Sequence, residues 1–152
     1  MNALFLKASS LQANREVHET LLAEPLGKNL YELKSIPTLI TSLNYGDIVT
    51  AIDDPLRIVE VIVPSGFQTF RIAFLQGTNE IEHREVVYSL RKWQAVAEMV
   101  YTSFYAISVA PHGNMQAIRA YLSGLKQRQK LLYEPDTPLD QLLLVIAEKT
   151  RD

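Results

Sequence analysis

Gln68-Thr69-Phe70-Arg71-Ile72-Ala73-Phe74 is soon followed by Asn79-Glu80-Ile81-Glu82, and between them the hydrophobic period of the chain changes. Phe70, Ile72 and Phe74 alternate, as on a strand with one buried face. Asn79 to Glu82 has the spacing of a capping box. Behind it Val86, Leu90, Trp93, Ala97 and Val100 recur at three- and four-residue steps, which predicts an amphipathic helix of about twenty residues. Ser103 to Ala110 reads as another strand. Asn114 then caps a second helix with Met115, Ile118, Leu122, Leu125 and Leu132 on its core stripe, stopped at Tyr133-Glu134-Pro135. Thr137-Pro138-Leu139-Asp140 opens a last helix, with proline at its first position.

Upstream of Gln68 the punctuation is that of short strands. Val17–Ala23 alternates until Glu24-Pro25-Leu26-Gly27, and Leu30-Tyr31-Glu32-Leu33 follows closely enough to form a hairpin. Ile36-Pro37 breaks the pattern, since the residue before proline is driven from helix. Asn44-Tyr45-Gly46-Asp47 and Asp53-Asp54-Pro55 are turn compositions on either side of Ile48–Ile52. Arg57–Val63 is β-branched enough to be expected in the centre of a sheet, and Pro64-Ser65-Gly66 ends it. The apolar start, Leu4-Phe5-Leu6, lacks the basic region and length of a signal peptide and is expected to be a frayed arm or an added edge strand.

The expected fold is therefore α+β. An antiparallel, strand-rich part (17–74) packs with a βαβα part (75–135), half of a ferredoxin-like unit, and a C-terminal helix (137–150) completes one domain spanning 1–152 around one core. The 152 residues are 47% apolar and 21% charged, an ordinary globular composition. No apolar run is long enough to span a bilayer. The absence of cysteine excludes disulfides, thiolate metal sites and a cysteine nucleophile, and fits a reducing, cytoplasmic setting. Net charge is −2, which disfavours nucleic acid as a partner. Residues 1–60 carry five basic and eight acidic residues, an excess that can steer a basic partner.

The run Glu19-Thr20-Leu21-Leu22-Ala23-Glu24-Pro25-Leu26-Gly27 resembles the E-x-L-W-A-E-P-L-G opening of an uncharacterised bacterial family, a domain of unknown function. The likeness continues through Ile36-Pro37, through Tyr45-Gly46-Asp47-Ile48-Val49 (Y-G-D-V-V in the family) and through the S-G-x-x-T-x-R pattern of Ser65, Gly66, Thr69 and Arg71. It spans roughly Val17 to Pro135. Leu22 stands where the family often has tryptophan, and the helix from Thr137 lies beyond the usual domain. The resemblance implies a bacterial cytosolic protein, with no agreed activity and no catalytic residues to transfer.

The residues themselves offer no catalytic constellation. His18, His83 and His112 fall in different predicted elements without the i+3 or i+4 partners of a helical metal site. No nucleophile elbow, phosphate loop or dinucleotide fingerprint is present. No cofactor, metal or catalytic residue is therefore expected. The leading expectation is a non-catalytic protein-binding domain, an immunity protein that neutralises a cognate toxin, with Glu24, Asp47, Asp53 and Asp54 as contacts. A second reading is a small enzyme or ligand-binding domain with a cleft between its halves. Ser65, Thr69 and Arg71, beside Asp47, would then hold a ligand or an anion. A third is RNA binding through Gly66–Phe74 and the basic run Lys126–Lys130. There Phe70 and Phe74 share the core periodicity of Ile72, and a basic run of this kind is ordinarily a solvated helix face.

Overall fold

Alternation in the first sixty residues produces strands, and their register closes them on themselves. The computed structural model describes residues 3–12, 14–53 and 55–149, without the side chain of Lys149. The chain divides after Thr69 into two compact units. In the first, β1 (Leu4–Gln12) pairs antiparallel with β2 (Arg15–Gly27), from Leu4 opposite Ala23 to Gln12 opposite Arg15. Then β3 (Leu30–Leu33), β4 (Ile48–Ile52) and β5 (Arg57–Val63) follow as a meander, and β5 returns to β1 in parallel at Lys7 and Arg57. The result is a closed five-stranded barrel. Its interior is filled by Leu6, Ala8, Leu21, Ala23, Leu33, Val49 and Ala51, capped by Ile40 and Leu43 from the β3–β4 connection.

Two expectations change here. The N-terminal run is neither a frayed arm nor an edge strand. Leu4, Leu6 and Ala8 alternate inward while Phe5, Lys7 and Ser9 point out, and β1 supplies the closing strand. Arg57–Val63, expected at a sheet centre, instead meets β1 at a single residue pair. Its register against β4 slips twice, between Val63 and Val61 and again between Glu60 and Ile58. Each slip is a bulge, which bends a strand and re-aims a side chain. The skipped residues, Ile62 and Val59, are left exposed.

The second unit has the order β6 (Gln68–Phe74), α1 (Glu80–Leu90), β7 (Ala95–Tyr101), β8 (Phe104–Val109), α2 (Met115–Gln127), β9 (Leu131–Tyr133) and α3 (Leu139–Lys149). The sheet runs β7-β8-β6-β9. As expected, Asn79 and Asn114 cap α1 and α2, each accepting an N–H three residues on, from Glu82 at 2.9 Å and Ala117 at 3.0 Å. Phe70, Ile72 and Phe74 pack with Ile107 and Val109 under Val86 and Leu90 of α1 and Ile118 and Leu122 of α2. Ala73 and Phe104 face the other way, against Leu142 and Ile146 of α3. Both faces of the sheet are thus covered, and every residue of β8 is buried.

The helix expected to reach Val100 ends at Leu90, followed by a 3-10 turn, Arg91–Trp93. Gln94 then takes a left-handed conformation (φ 65) and the chain reverses into β7, which pairs with β8. Val96, Val100 and Tyr101 are stiff, β-favouring residues. The pair partner, absent from any local pattern, decided the outcome. Similarly, Leu132 belongs to β9, paired with Ala73, and not to the second helix, which ends at Gln127. Gly113 holds the turn before α2, where a Cβ would sit 2.8 Å from the Trp93 carbonyl oxygen. The single shared core expected from the sequence is also divided, since each cluster of buried apolar residues stays within one unit.

Leu122→Ala should destabilise the protein by about 3 kcal/mol, a typical cost for an unrelaxed core cavity. Val59→Ala, at an exposed bulge, should stay within about 0.5 kcal/mol of the parent in the same urea titration.

Candidate functional site

The turn around Asp47 is built by its own side chains. Asp47 is 3% exposed. Its carboxylate accepts the Asn44 N–H at 2.9 Å through one oxygen and the Ser65 N–H at 2.9 Å through the other. The Ser65 hydroxyl donates to the Tyr45 carbonyl oxygen at 2.6 Å and accepts the Phe67 N–H at 3.1 Å. Thr69 donates its hydroxyl to Asn44 Oδ1 at 2.8 Å, and the Tyr45 and Phe67 rings meet edge to face. Gly46 has φ 83, and a Cβ there would press on the Ser65 Cβ at 3.1 Å. Asp47, Ser65 and Thr69 are thus brought together through Asn44. The carboxylate is committed to backbone donors and the serine proton to a carbonyl, so this cluster braces two turns and places no base on a nucleophile.

Arg71 belongs to the second unit. It is 1% exposed, and its guanidinium meets the Glu134 carboxylate at 3.3 Å, while the Glu134 N–H donates to the Arg71 carbonyl at 3.0 Å. Burial raises the Glu134 pKa above its ordinary 4.5, and the facing guanidinium pulls the other way without cancelling the shift. The arrangement is an internal ion pair joining β6 to the segment after β9.

The acidic candidates do not form one cluster. Glu24 lies 3.8 Å from the Lys34 ammonium, Asp53 binds Arg57 through two guanidinium nitrogens at 3.0 and 2.9 Å, and Asp47 is buried. Asp54 lies outside the described residues. Among the described residues, no three His, Asp or Glu side chains are grouped as metal ligands. His83 stacks on Phe74, with Nε2 2.8 Å from the Thr78 hydroxyl.

Two arrangements were not anticipated from the sequence, although Glu19 opens the run that resembles the family. Glu19 faces the long β3–β4 connection, where its carboxylate accepts the N–H groups of Thr38, Leu39 and Ile40 and the Thr38 hydroxyl. Gln12 holds the next residue, accepting the Thr41 N–H at 2.8 Å and donating to the Leu39 carbonyl at 3.0 Å. The second feature is an open groove of about 690 Å³ on the outer wall of the barrel. Its floor is Lys7 and Ser9 of β1, directly opposite Thr20 and His18 of β2, and its side is formed by Asp53, Pro55 and Arg57. The signal available for it was outward alternation along β1, in a segment expected to be a frayed arm or an added edge strand.

A barrel followed by a sheet covered on both faces, with a polar groove on the barrel wall, defines a two-unit α+β protein. By sequence the chain belongs to a family of proteins described as a domain of unknown function (DUF4265), whose model matches residues 19–133. No curated protein matches it. In three dimensions it is similar to the crystal structure of a hypothetical protein from Neisseria gonorrhoeae, with TM-score 0.74 and 16% sequence identity, over 86% of this chain and 91% of that one. At that identity the likeness is one of fold.

Asp47→Ala should cost about 3 kcal/mol, because two backbone N–H groups in a buried turn lose a charged acceptor. Chemical denaturation of the variant against the parent measures it. Glu134 gives a pH signature with the opposite sign to an ordinary paired carboxylate. Its raised folded-state pKa makes its contribution to stability fully present below pH 4.5 and lost as pH rises through the folded value. Stability measured from pH 4 to 8 should show this decline in the parent, and Glu134→Gln should remove that component of the slope.

Proposed function

We propose that this chain is a non-catalytic protein-binding domain of a bacterial cytoplasm, acting as an immunity protein that neutralises a cognate toxin. The observation that carries the reading is the apolar exposure on the two strands at the barrel seam. Phe5 and Leu11 of β1 are 69% and 76% exposed, and Val59, Ile62 and Val63 of β5 are 54%, 46% and 49% exposed. Apolar side chains exposed on two strands that pair with one another at Lys7 and Arg57 are the material of a contact surface. A standard interface needs about 800 Å² from each partner, which one wall of such a barrel can supply. The fates of Asp47, Ser65 and Thr69, all committed to turn hydrogen bonds, favour this reading over a reacting centre built from them.

For the second unit we read a complete ferredoxin-like arrangement, rather than half of one. Its support is the succession β6-α1-β7-β8-α2-β9 with strand order β9-β6-β8-β7. One face carries α1 and α2, and α3 occupies the other.

Co-expression with the toxin encoded beside the gene should restore growth, and the two proteins should co-purify. Val59→Lys combined with Ile62→Lys should weaken that complex at least tenfold, since a charge at the centre of an apolar contact must be desolvated. Its melting temperature should stay close to the parent's. Recovery of no protein partner from the native host, together with no protection in co-expression, sinks the proposal.

A further inference from the structure

We infer that a recess beside α1 of the second unit binds a small aromatic acid, a single ring carrying a carboxylate or a phosphate. The inference stands apart from the protein-binding reading and concerns a different part of the chain. The recess has a volume of about 250 Å³ and is lined by Arg84, Val87, Tyr88, Arg91 and Tyr105. The first four follow at i, i+3, i+4 and i+7, the spacing that sets side chains in one stripe along a helix. Arg91 opens the 3-10 turn that prolongs α1. The fifth comes from β8, where the Tyr105 ring meets Phe74 and His83 edge to face.

Both charged groups in this lining are cations. Arg91 makes no ion pair among the described residues. Arg84 meets Glu80 at 2.7 Å, but both side chains are 75% exposed, and an exposed pair of that kind is weakly held. Its guanidinium also has donors left for a second acceptor. With Glu80 counted beside the lining, two positive charges still stand against one negative. The recess also has a hydroxyl with nothing to bind. Tyr105 is 9% exposed, and its hydroxyl has no hydrogen-bond partner among the described residues. Burial raises its pKa, with Glu80 adding to the rise and Arg84 opposing it, so the phenol keeps its proton at neutral pH and is a donor. Both of those charges act on the phenol, which places its hydroxyl end towards α1 and the recess. A buried polar group without a partner is uncommon, and an anion seated here supplies the acceptor, held by charge-assisted hydrogen bonds.

The rest of the lining selects the body of the ligand. Val87 and the rings of Tyr88 and Tyr105 offer apolar surface, and a guanidinium stacks on an aromatic face while its edge donates to an anion. The volume lies just under the ~300–1,000 Å³ of ordinary small-molecule pockets, which matches one ring with its head group.

The test titrates the full-length, nitrogen-15-labelled protein with phenyl phosphate, benzoate, benzyl alcohol and inorganic phosphate at constant ionic strength. Phenyl phosphate or benzoate should give saturable shifts of the amide signals of Arg84, Val87, Tyr88, Arg91 and Tyr105, the tighter of the two naming the head group. Benzyl alcohol and inorganic phosphate should bind at least tenfold more weakly. Arg91→Gln and Tyr105→Phe should each weaken the aromatic acid by about fivefold, the worth of one hydrogen bond. Their melting temperatures should match the parent's, because neither removed group has a partner in the fold. Glu80→Gln should tighten binding, since it releases Arg84. No saturable shift at these residues with millimolar ligand, equal binding of benzyl alcohol or inorganic phosphate, undiminished affinity in either Arg91→Gln or Tyr105→Phe, or weaker binding in Glu80→Gln overturns the assignment.

Discussion

The barrel depends on one carboxylate doing the work of a missing strand. Between Leu33 and Ile48 the chain runs without regular structure, and a connection of that length carries many backbone groups with no ladder to satisfy them. Glu19 takes up three consecutive N–H groups of this connection, Gln12 takes the next, and Asp47 fixes its far end. With the backbone so held, Ile40 and Leu43 can reach into the barrel and complete its interior. The polar anchors and the apolar plug are therefore one device. Asp47, Ser65 and Thr69 all have places in it or beside it.

What the sequence made legible was whatever a local signal encodes. The punctuation by Gly46, Asp53 and Gly66 located turns, although β2 runs on through Pro25 to Gly27; Asn79 and Asn114 announced helix starts, and the alternation of Phe70, Ile72 and Phe74 showed a core face. Ambiguity entered where two periods fit the same residues. Trp93, Ala97 and Val100 continue the helical spacing of Val86 and Leu90, yet they lie in a turn and a strand because β8 offered Ala95–Tyr101 a ladder. A short apolar run cannot by itself distinguish the two outcomes.

The candidate site was less legible, for a related reason. Asp47 could be read as a turn former from its neighbours, but its bond to Ser65 joins positions far apart in sequence. Glu19 reaches across to Thr38 and Ile40 with no intervening pattern to suggest it. Arg71, which alternation placed on a polar face, is enclosed because that side of the sheet is also covered and Glu134 meets it there. Exposure is set by what packs on a face, and alternation along one strand carries no record of that.

The stretch shared with the family, residues 19–133, begins after β1 and stops before α3. Those flanking pieces shut the barrel in one unit and shield Phe104 and Ala73 in the other. A fragment trimmed to the shared stretch would meet water with a gap in its cylinder and a bare greasy sheet, so the segments on either side of it are the lids of both hydrophobic interiors.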